Sequence, residues 1–376
     1  MSSKESAGRK DSPVRYAVVG LGHIAQVAVL PAFRHAENSQ LAALVSDDAE
    51  KLEAVGKKYR VKARYGYQDF ERCLDEAAVD AVYIALPNSQ HREYTVRAAR
   101  AGRHVLCEKP MALTEAECLE MVDATEAARV KLMVAYRLHF DEANLEAVEL
   151  ARSGRLGEPR LFSSSFTMQV RDLDNIRLKR DLGGGPLYDI GIYCINAARY
   201  LFRAEPLEVF GMAATADVER FNEVEEMVSA VLRFPGERIA AFTCSFGASD
   251  VASYRLVGTK GDLELTSAYE YAEPMTMRVT VDGKAQQKKF PKSDQFAPEL
   301  VAFSRCIRED TTPEPSGEEG LADVRIIQAL HESVRGGRSV GLRPFHGGAR
   351  PTPDQAIERP AVREPDVVGV TAPGEE

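Results

Sequence analysis

The sequence predicts two structural classes joined in one chain: an α/β unit with a doubly wound parallel sheet, then an α+β unit whose sheet is open and mostly antiparallel. Three observations predict it. From Val14 short, nearly continuous apolar runs alternate with helical stretches; the glycine pattern Gly20-Leu21-Gly22-His23-Ile24-Ala25 stands directly after the first run; and beyond Arg137 strand-like segments arrive in succession with few helices between them.

In the first unit, strands are expected over 15–19, 41–45, 81–86, 104–107 and 131–136, apolar almost throughout, as strands covered on both faces are. Helices are expected over 24–35, 50–59, 70–75, 92–101 and 115–128, the last opened by a capping box of Thr114 with Glu117. Past Arg137 a linking helix over 144–153 leads to the turn Gly157-Glu158-Pro159. Strands then follow over 161–168, 207–214, 227–234, 238–245, 254–257, 263–266 and 277–281, with hairpin turns at Thr259-Lys260-Gly261-Asp262 and Asp282-Gly283. One helix, about 187–201, is inserted after Gly183-Gly184-Gly185-Pro186, and two more are expected near 298–308 and 318–335.

With 376 residues the chain can bury a large core without disulfides or metals, so a small stapled scaffold is excluded. Hydrophobic residues at 44% and charged residues at 28% exclude general disorder. A net charge of −9 gives no support to nucleic-acid or anionic-membrane binding. No apolar run approaches the roughly 18 residues that span a bilayer. Lys4, Glu5, Arg9, Lys10 and Asp11 precede no apolar signal segment, so a cytoplasmic location is expected. Six scattered cysteines without a C-x-x-C pair, and seven histidines without an H-x-x-x-H pair, give no metal site.

Between a strand and a helix, G-x-G-x-x-A reads as a dinucleotide loop. Gly20 allows the tight turn, Gly22 lets backbone approach a pyrophosphate, and amides at the helix start near His23 and Ile24 hold the phosphates. The second strand ends in Ser46-Asp47-Asp48, where the adenosine ribose belongs. An acid there suits the 2′-hydroxyl of NAD, whereas Ser46 with Lys51 suits the 2′-phosphate of NADP, and Asp47 or Asp48 is also placed to cap the next helix. From these residues both cofactors stay open.

Glu108-Lys109-Pro110 sets a lysine at the carboxyl end of a strand, in the cleft where a nicotinamide would lie. Asp189-Ile190-Gly191-Ile192-Tyr193 sets a carboxylate and a phenol at i and i+4 on one helix face. Oxidation of a sugar hydroxyl needs a base as hydride leaves. A tyrosine with its ordinary pKa near 10 is a poor one, by about 4 kcal/mol at neutral pH, and a neighbouring ammonium reduces that penalty. The expected roles are Tyr193 as base, Lys109 as its activating cation and Asp189 as the group that orients the substrate hydroxyl.

These three motifs, in this order, resemble those of the Gfo/Idh/MocA oxidoreductases. The likeness runs from about Tyr16 to Arg338 and includes Leu44-Val45-Ser46, Asp80-Ala81-Val82-Tyr83-Ile84, Leu86-Pro87-Asn88-Ser89, Cys107-Glu108-Lys109-Pro110-Met111 and Ser316-Gly317-Glu318-Glu319-Gly320. Many members carry histidine where Tyr193 stands, while the glucose-fructose and aldose-aldose oxidoreductase branch carries tyrosine. The resemblance implies a Rossmann domain followed by an open-sheet domain, with proton transfer by Lys109 and Tyr193. It also implies NADP across the Gly20 loop, with Ser46 and Lys51 near its 2′-phosphate. By the same resemblance Leu86, Pro87, Asn88 and His91 border the cofactor, Glu108 lies beside its ribose and nicotinamide, and Arg137 and Arg177 approach from the domain junction. NADP is thereby favoured over NAD, and a homodimer or homotetramer is expected.

The domains are accordingly expected as a flexible N-terminus over 1–13, a dinucleotide-binding Rossmann domain over 14–137, an open-sheet substrate and oligomerisation domain over 138–345, and a flexible tail over 346–376. The expected reaction is hydride transfer from C1 of an aldose to NADP, giving a lactone, with return of the hydride to a second sugar if the cofactor stays bound. The alternatives are a dissociating NAD(P)-dependent dehydrogenase of a polyol, sugar acid or trans-dihydrodiol, and a dinucleotide-sensing regulator without chemistry. Intact Lys109 and Tyr193 count against the last. Three departures from the branch stand out: Asp47 replaces a usual glycine, Ile176 replaces a cofactor-contacting tryptophan, and only about 13 residues precede the first strand where the exported glucose-fructose enzyme has a long arm.

Overall fold

The computed structural model describes residues 12–345, 347–372 and 374. Its first sheet is wholly parallel, with strands β1 (Val14–Val19), β2 (Ser39–Val45), β3 (Ala63–Tyr65), β4 (Ala81–Ile84), β5 (His104–Glu108) and β6 (Leu132–Ala135) in the order β3-β2-β1-β4-β5-β6. The order reverses between β1 and β4, so a ligand crevice opens at the carboxyl ends of those strands. β3 is absent from the expected set because three half-buried residues carry too little pattern to be read as a strand.

Alternation along β1 divides its side chains between two cores. Ala17 and Val19 face the core that continues into the second half of the chain, while Tyr16 and Val18 face a separate core. That second core is completed from far along the sequence. The helix Ala297–Glu309, expected as part of the open-sheet domain, instead packs on the parallel sheet: the Tyr16 hydroxyl lies 2.8 Å from Ser304 Oγ, and Ser39 Oγ donates to Leu300 O at 3.2 Å. Leu300 and Phe303 are fully buried there.

The second sheet has nine strands: β7 (Pro159–Gln169), β8 (Glu208–Ala214), β9 (Met227–Phe234), β10 (Arg238–Ser245), β11 (Gly247–Gly258), β12 (Gly261–Thr266), β13 (Met275–Val281), β14 (Lys284–Phe290) and β15 (Val340–Gly341). They run in the order β14-β13-β12-β11-β7-β10-β9-β8-β15, antiparallel except where β10 lies parallel to β7. β14 was not expected, although the Asp282-Gly283 turn before it was. Lys284-Ala285-Gln286-Gln287-Lys288-Lys289 is exposed throughout, and lysines on an edge strand suppress sheet-to-sheet pairing at the expense of any apolar alternation. In β9, Val228, Ala230, Leu232 and Phe234 point inward against the helix Ile192–Phe202, where Phe202 meets Phe234 edge-to-face at 5.0 Å. The other face of the sheet exposes Leu161, Phe210, Met212, Met227, Val231 and Val251.

The segment expected as a flexible tail holds one short helical turn, Pro353–Gln355, and otherwise runs irregularly over both units. Arg350 pairs with Glu205, Arg359 with Glu37 at 2.8 Å, and Val368 exchanges two backbone hydrogen bonds with the Gln26 side chain at 2.8 and 2.9 Å. Among the described residues no helix is long and apolar enough to cross a membrane.

Candidate active site

At the end of β1 the backbone of Gly20 takes φ +94°, and a Cβ there would lie 2.4 Å from Ala85 O. Only glycine lets the loop cross the end of β4 so closely. A Cβ on Gly22 would meet nothing within 4 Å, so the space in front of the loop is open to a pyrophosphate. His23 and Ile24 face this space, and the helix they open passes at once into a π-helical turn, Ala25–Val29.

At the end of β2 the two acids do different work. Asp48 caps the helix Ala49–Tyr59, accepting from Lys51 N at 2.9 Å, and pairs with Lys51 Nζ at 3.2 Å. Asp47 Oδ1 accepts instead from Tyr67 N at 2.6 Å. Ser46 Oγ accepts from Asp48 N at 3.2 Å. Ser46, Asp47 and Lys51 thus cluster beside the glycine loop but do not line the cavity that His23 and Ile24 face. Gly369 of the C-terminal segment lies against Lys51, where a Cβ would stand 3.1 Å from Lys51 Cε.

That cavity, about 350 Å³, lies between the two units. His23, Ile24, Leu86, Asn88, Glu108 and Lys109 form its first wall, and Arg137, Arg177, Asp189 and Tyr193 join them from the junction and the second unit. Two residues expected to border the cofactor do not reach the cavity. Pro87 is not among its lining residues, and His91 is fully buried, its ring nitrogens 2.8 Å from Pro110 O and 2.9 Å from Leu86 O. Burial holds the His91 pKa below the usual histidine range, so a neutral ring ties the ends of β4 and β5 together by donating to one of these carbonyls.

β5 delivers Glu108 and Lys109, and the peptide between Lys109 and Pro110 is cis. Lys109 Nζ donates to Asp189 Oδ1 at 2.9 Å and to Asp189 O at 2.7 Å. Arg177 Nε donates to the other carboxylate oxygen, Oδ2, at 2.6 Å. Both Asp189 oxygens therefore hold cations, where the sequence reading assigned Asp189 to a substrate hydroxyl. Burial would raise the Asp189 pKa, but Arg177 and Lys109 outweigh it and hold the group well below the usual carboxylate range. Burial would likewise lower Lys109, but Asp189, Tyr193 and Glu108 outweigh it and hold the ammonium above the ordinary lysine value. At neutral pH the pair is charged.

Asp189 and Tyr193 reach the cavity together, as their spacing implies, but the helix between them is not regular. Leu187–Gly191 is a π-helical turn and α-helix begins only at Ile192. The Tyr193 ring lies 4.9 Å from Lys109 Nζ and 5.1 Å from the Arg137 guanidinium, and it packs edge-on against Phe166 at 5.6 Å. Arg137 is itself buried and donates to Gln295 Oε1 and Tyr269 O. Asn88 Nδ2 donates to Gly183 O at 2.8 Å, fastening the first unit to the glycine-rich loop before the Asp189 helix.

Several residues at this site carry no sequence motif. Tyr83 donates to Glu108 Oε1 at 2.8 Å, and Glu299, from the helix that crossed over to the parallel sheet, is buried close enough to Glu108 to act on its charge. Burial raises the pKa of Glu108, with Lys109 and Arg137 opposing, and burial then Glu108 raise that of Glu299 further. Gln169, Asp250, Tyr269, Glu270 and Tyr271 line the far wall. Only the pairing of distant strands brings them there, and no local motif marks them.

The model of the oxidoreductase family with an NAD-binding Rossmann fold matches residues 14–136, and the GFO/IDH/MocA C-terminal domain model matches residues 144–264. The chain belongs to the Gfo/Idh/MocA oxidoreductase family. It is 40% identical to the crystal structure of aldose-aldose oxidoreductase from Caulobacter crescentus complexed with glycerol, with a TM-score of 0.84 over 88% of this chain and 100% of that one. It is 32% identical to D-xylose 1-dehydrogenase (NADP+) of Haloarcula marismortui over 86% of this chain and 91% of that protein. It is 33% identical to a dTDP-3,4-didehydro-2,6-dideoxy-alpha-D-glucose 3-reductase of Streptomyces violaceoruber over 78% and 85%. As a Gfo/Idh/MocA oxidoreductase, the protein brings its Rossmann loop and its charged cluster to one cavity.

Proposed function

We propose that the protein is an NADP-dependent sugar oxidoreductase that takes hydride from C1 of a cyclic aldose and the proton from its C1 hydroxyl, leaving a lactone. The observation that carries this reading is the convergence of Lys109, Asp189 and Tyr193 on a cavity that His23 and Ile24 of the glycine loop also line. NADP, when bound, supplies the hydride acceptor. Ser46 and Lys51 would hold its 2′-phosphate, with Asp47 already engaged by Tyr67 N and Asp48 capping the helix that carries Lys51. Tyr193 takes the hydroxyl proton in its phenolate form, which the neighbouring Lys109 ammonium favours, and becomes the neutral phenol as hydride leaves C1. Asp189 keeps Lys109 and Arg177 in place through its two oxygens. The aldose-aldose oxidoreductase and the D-xylose 1-dehydrogenase among the relatives support the same substrate class.

If NADPH stays bound after the first sugar leaves, Lys109 and Tyr193 return the proton as a second sugar is reduced. To test this, free nucleotide is stripped from the purified protein and excess glucose is added, without and then with NADP. A reduced-nicotinamide absorbance band with lactone formation supports the reading, and its fading on addition of fructose supports return of the hydride. No oxidation of any aldose, with either NADP or NAD, contradicts the proposal.

The exposed apolar face of the nine-stranded sheet suits a second copy of the chain, giving a homodimer or homotetramer that light scattering would measure. A cytoplasmic setting is in keeping with six unpaired cysteines, five of them buried.

A further inference from the structure

The cavity carries more charge than proton transfer uses. Its lysine and two arginines are all engaged: Lys109 and Arg177 on Asp189, and Arg137 on Gln295 Oε1 and Tyr269 O. Two of its carboxylates are not. Among the described residues, no protein donor bonds the side chain of Asp250 or of Glu270, although both line the cavity.

The fold supplies both groups from irregular backbone. Asp250 stands in the stretch of β11 between Gly247 and Val251 where its register against β7 slips, and it sits exposed at the rim. Glu270 follows β12 between Tyr269 and Tyr271, whose side chains line the same wall. Glu270 is partly buried, which raises its pKa against the pull of Arg137, and Asp250 and Glu273 add to the rise. The far wall is thus aromatic surface with two acceptors and no spare lysine or arginine.

That combination favours one kind of substrate. Hydroxyl groups donate to carboxylates in strong, charge-assisted hydrogen bonds, and aromatic faces pack against the apolar face of a sugar ring. A substrate carboxylate or phosphate brought to the same wall meets two like charges and no unengaged cation. We propose that Asp250 and Glu270 are the substrate-selecting carboxylates of this site: they accept hydrogen bonds from the hydroxyls of an uncharged sugar and exclude sugars that carry a carboxylate or a phosphate. This rests on the sugar-oxidoreductase reading above and adds the residues that choose among sugars.

The test compares the full-length protein with Asp250→Asn and Glu270→Gln, singly and together, using glucose, glucuronate and glucose 6-phosphate. Each sugar is titrated into the NADPH-loaded protein by nucleotide fluorescence, and kcat and KM are measured with NADP. The wild type is expected to favour glucose over both anions by about a hundredfold or more in affinity and in kcat/KM. The double variant is expected to raise KM for glucose about tenfold or more, with a smaller change in kcat, and to raise acceptance of glucuronate relative to glucose about tenfold. NADPH affinity serves as the control for folding. Should Glu270→Gln fail to fold, Asp250→Asn at the exposed rim and the wild-type selectivity still decide. Unchanged glucose KM and selectivity in the variants, or a wild type that binds glucuronate or the phosphate as well as glucose, overturns the proposal. If no sugar is turned over, the oxidoreductase reading fails, and the fluorescence titrations still settle the selectivity.

Discussion

Two ion clusters sit on one helical segment of this protein and do opposite things. At its start Asp189 joins Lys109 and Arg177 where a cavity opens between the two units. Further along, Arg199 is fully buried and bonds Glu205, Glu319 and Asp323 at 2.6–3.0 Å, with Asn196 and His139 completing the network. Both clusters shift the pKa values of their members, so perturbation alone does not distinguish a site from a scaffold. What distinguishes them is access. The Arg199 cluster faces only protein and clamps the helix Ile192–Phe202 onto the helix Gly317–Gly336, which holds the Asp189 turn at the cavity.

The comparison can be broken by substitution. Lys109→Ala is expected to lower turnover by about 10³–10⁴-fold while NADP affinity, which rests on the loop amides, changes little. Steady-state kinetics and nucleotide titration read this, and near-wild-type turnover would remove Lys109 from the chemistry. Arg199→Met leaves Asp323 without its cation, and Glu205 and Glu319 with Arg350 alone, and is expected to cost about 3–5 kcal/mol of stability, with kcat of the surviving folded enzyme nearly intact. Denaturant unfolding would expose a mistake here, since a stable variant with lost turnover makes the cluster part of the site. Tyr193→Phe keeps the packing on Phe166 and is expected to reduce turnover at least about a hundredfold without a shift in melting temperature.

The same comparison sharpens with pH. Burial would raise the Glu205 pKa, but the hydrogen bond and charge of Arg199 outweigh it and lower it to about 2 from 4.5. Its contribution is complete above the unfolded value of 4.5 and is lost as pH falls toward 2, so thermal stability drops through that window. Glu205→Gln flattens the drop, and an unchanged slope would place the acid sensitivity elsewhere. The smallest effect belongs to Asp47→Ser, expected to raise the NADP preference over NAD several-fold. An unaltered cofactor ratio would mean the Asp47 charge does not reach the 2′-phosphate.

The site was legible to the extent that it is local. Lys109 was found because an apolar strand ends abruptly in Glu-Lys-Pro, and Asp189 with Tyr193 because their spacing survives even a π-helical turn. Glu299, Asp250 and Glu270 left no such trace, because chain crossing and a slipped strand register bring them to the site. The same holds for the fold. The parallel strands announce themselves by burial on both faces, whereas β14 is mostly exposed lysine and glutamine ahead of one buried residue, Phe290, and nothing in the 297–309 segment says which sheet it will cover. At Ser46 and Lys51 the motif is readable, yet their place beside the cavity, and not within it, depends on how β2 and the C-terminal segment meet.

The most direct test of the account is to supply glucose deuterated at C1 together with NADP and to weigh the nicotinamide produced. The account predicts one deuterium in the reduced nicotinamide for each lactone formed, and a transfer about 10³–10⁴-fold slower in Lys109→Ala. Reduced nicotinamide without deuterium, or transfer at a near-wild-type rate in the absence of Lys109, would contradict it.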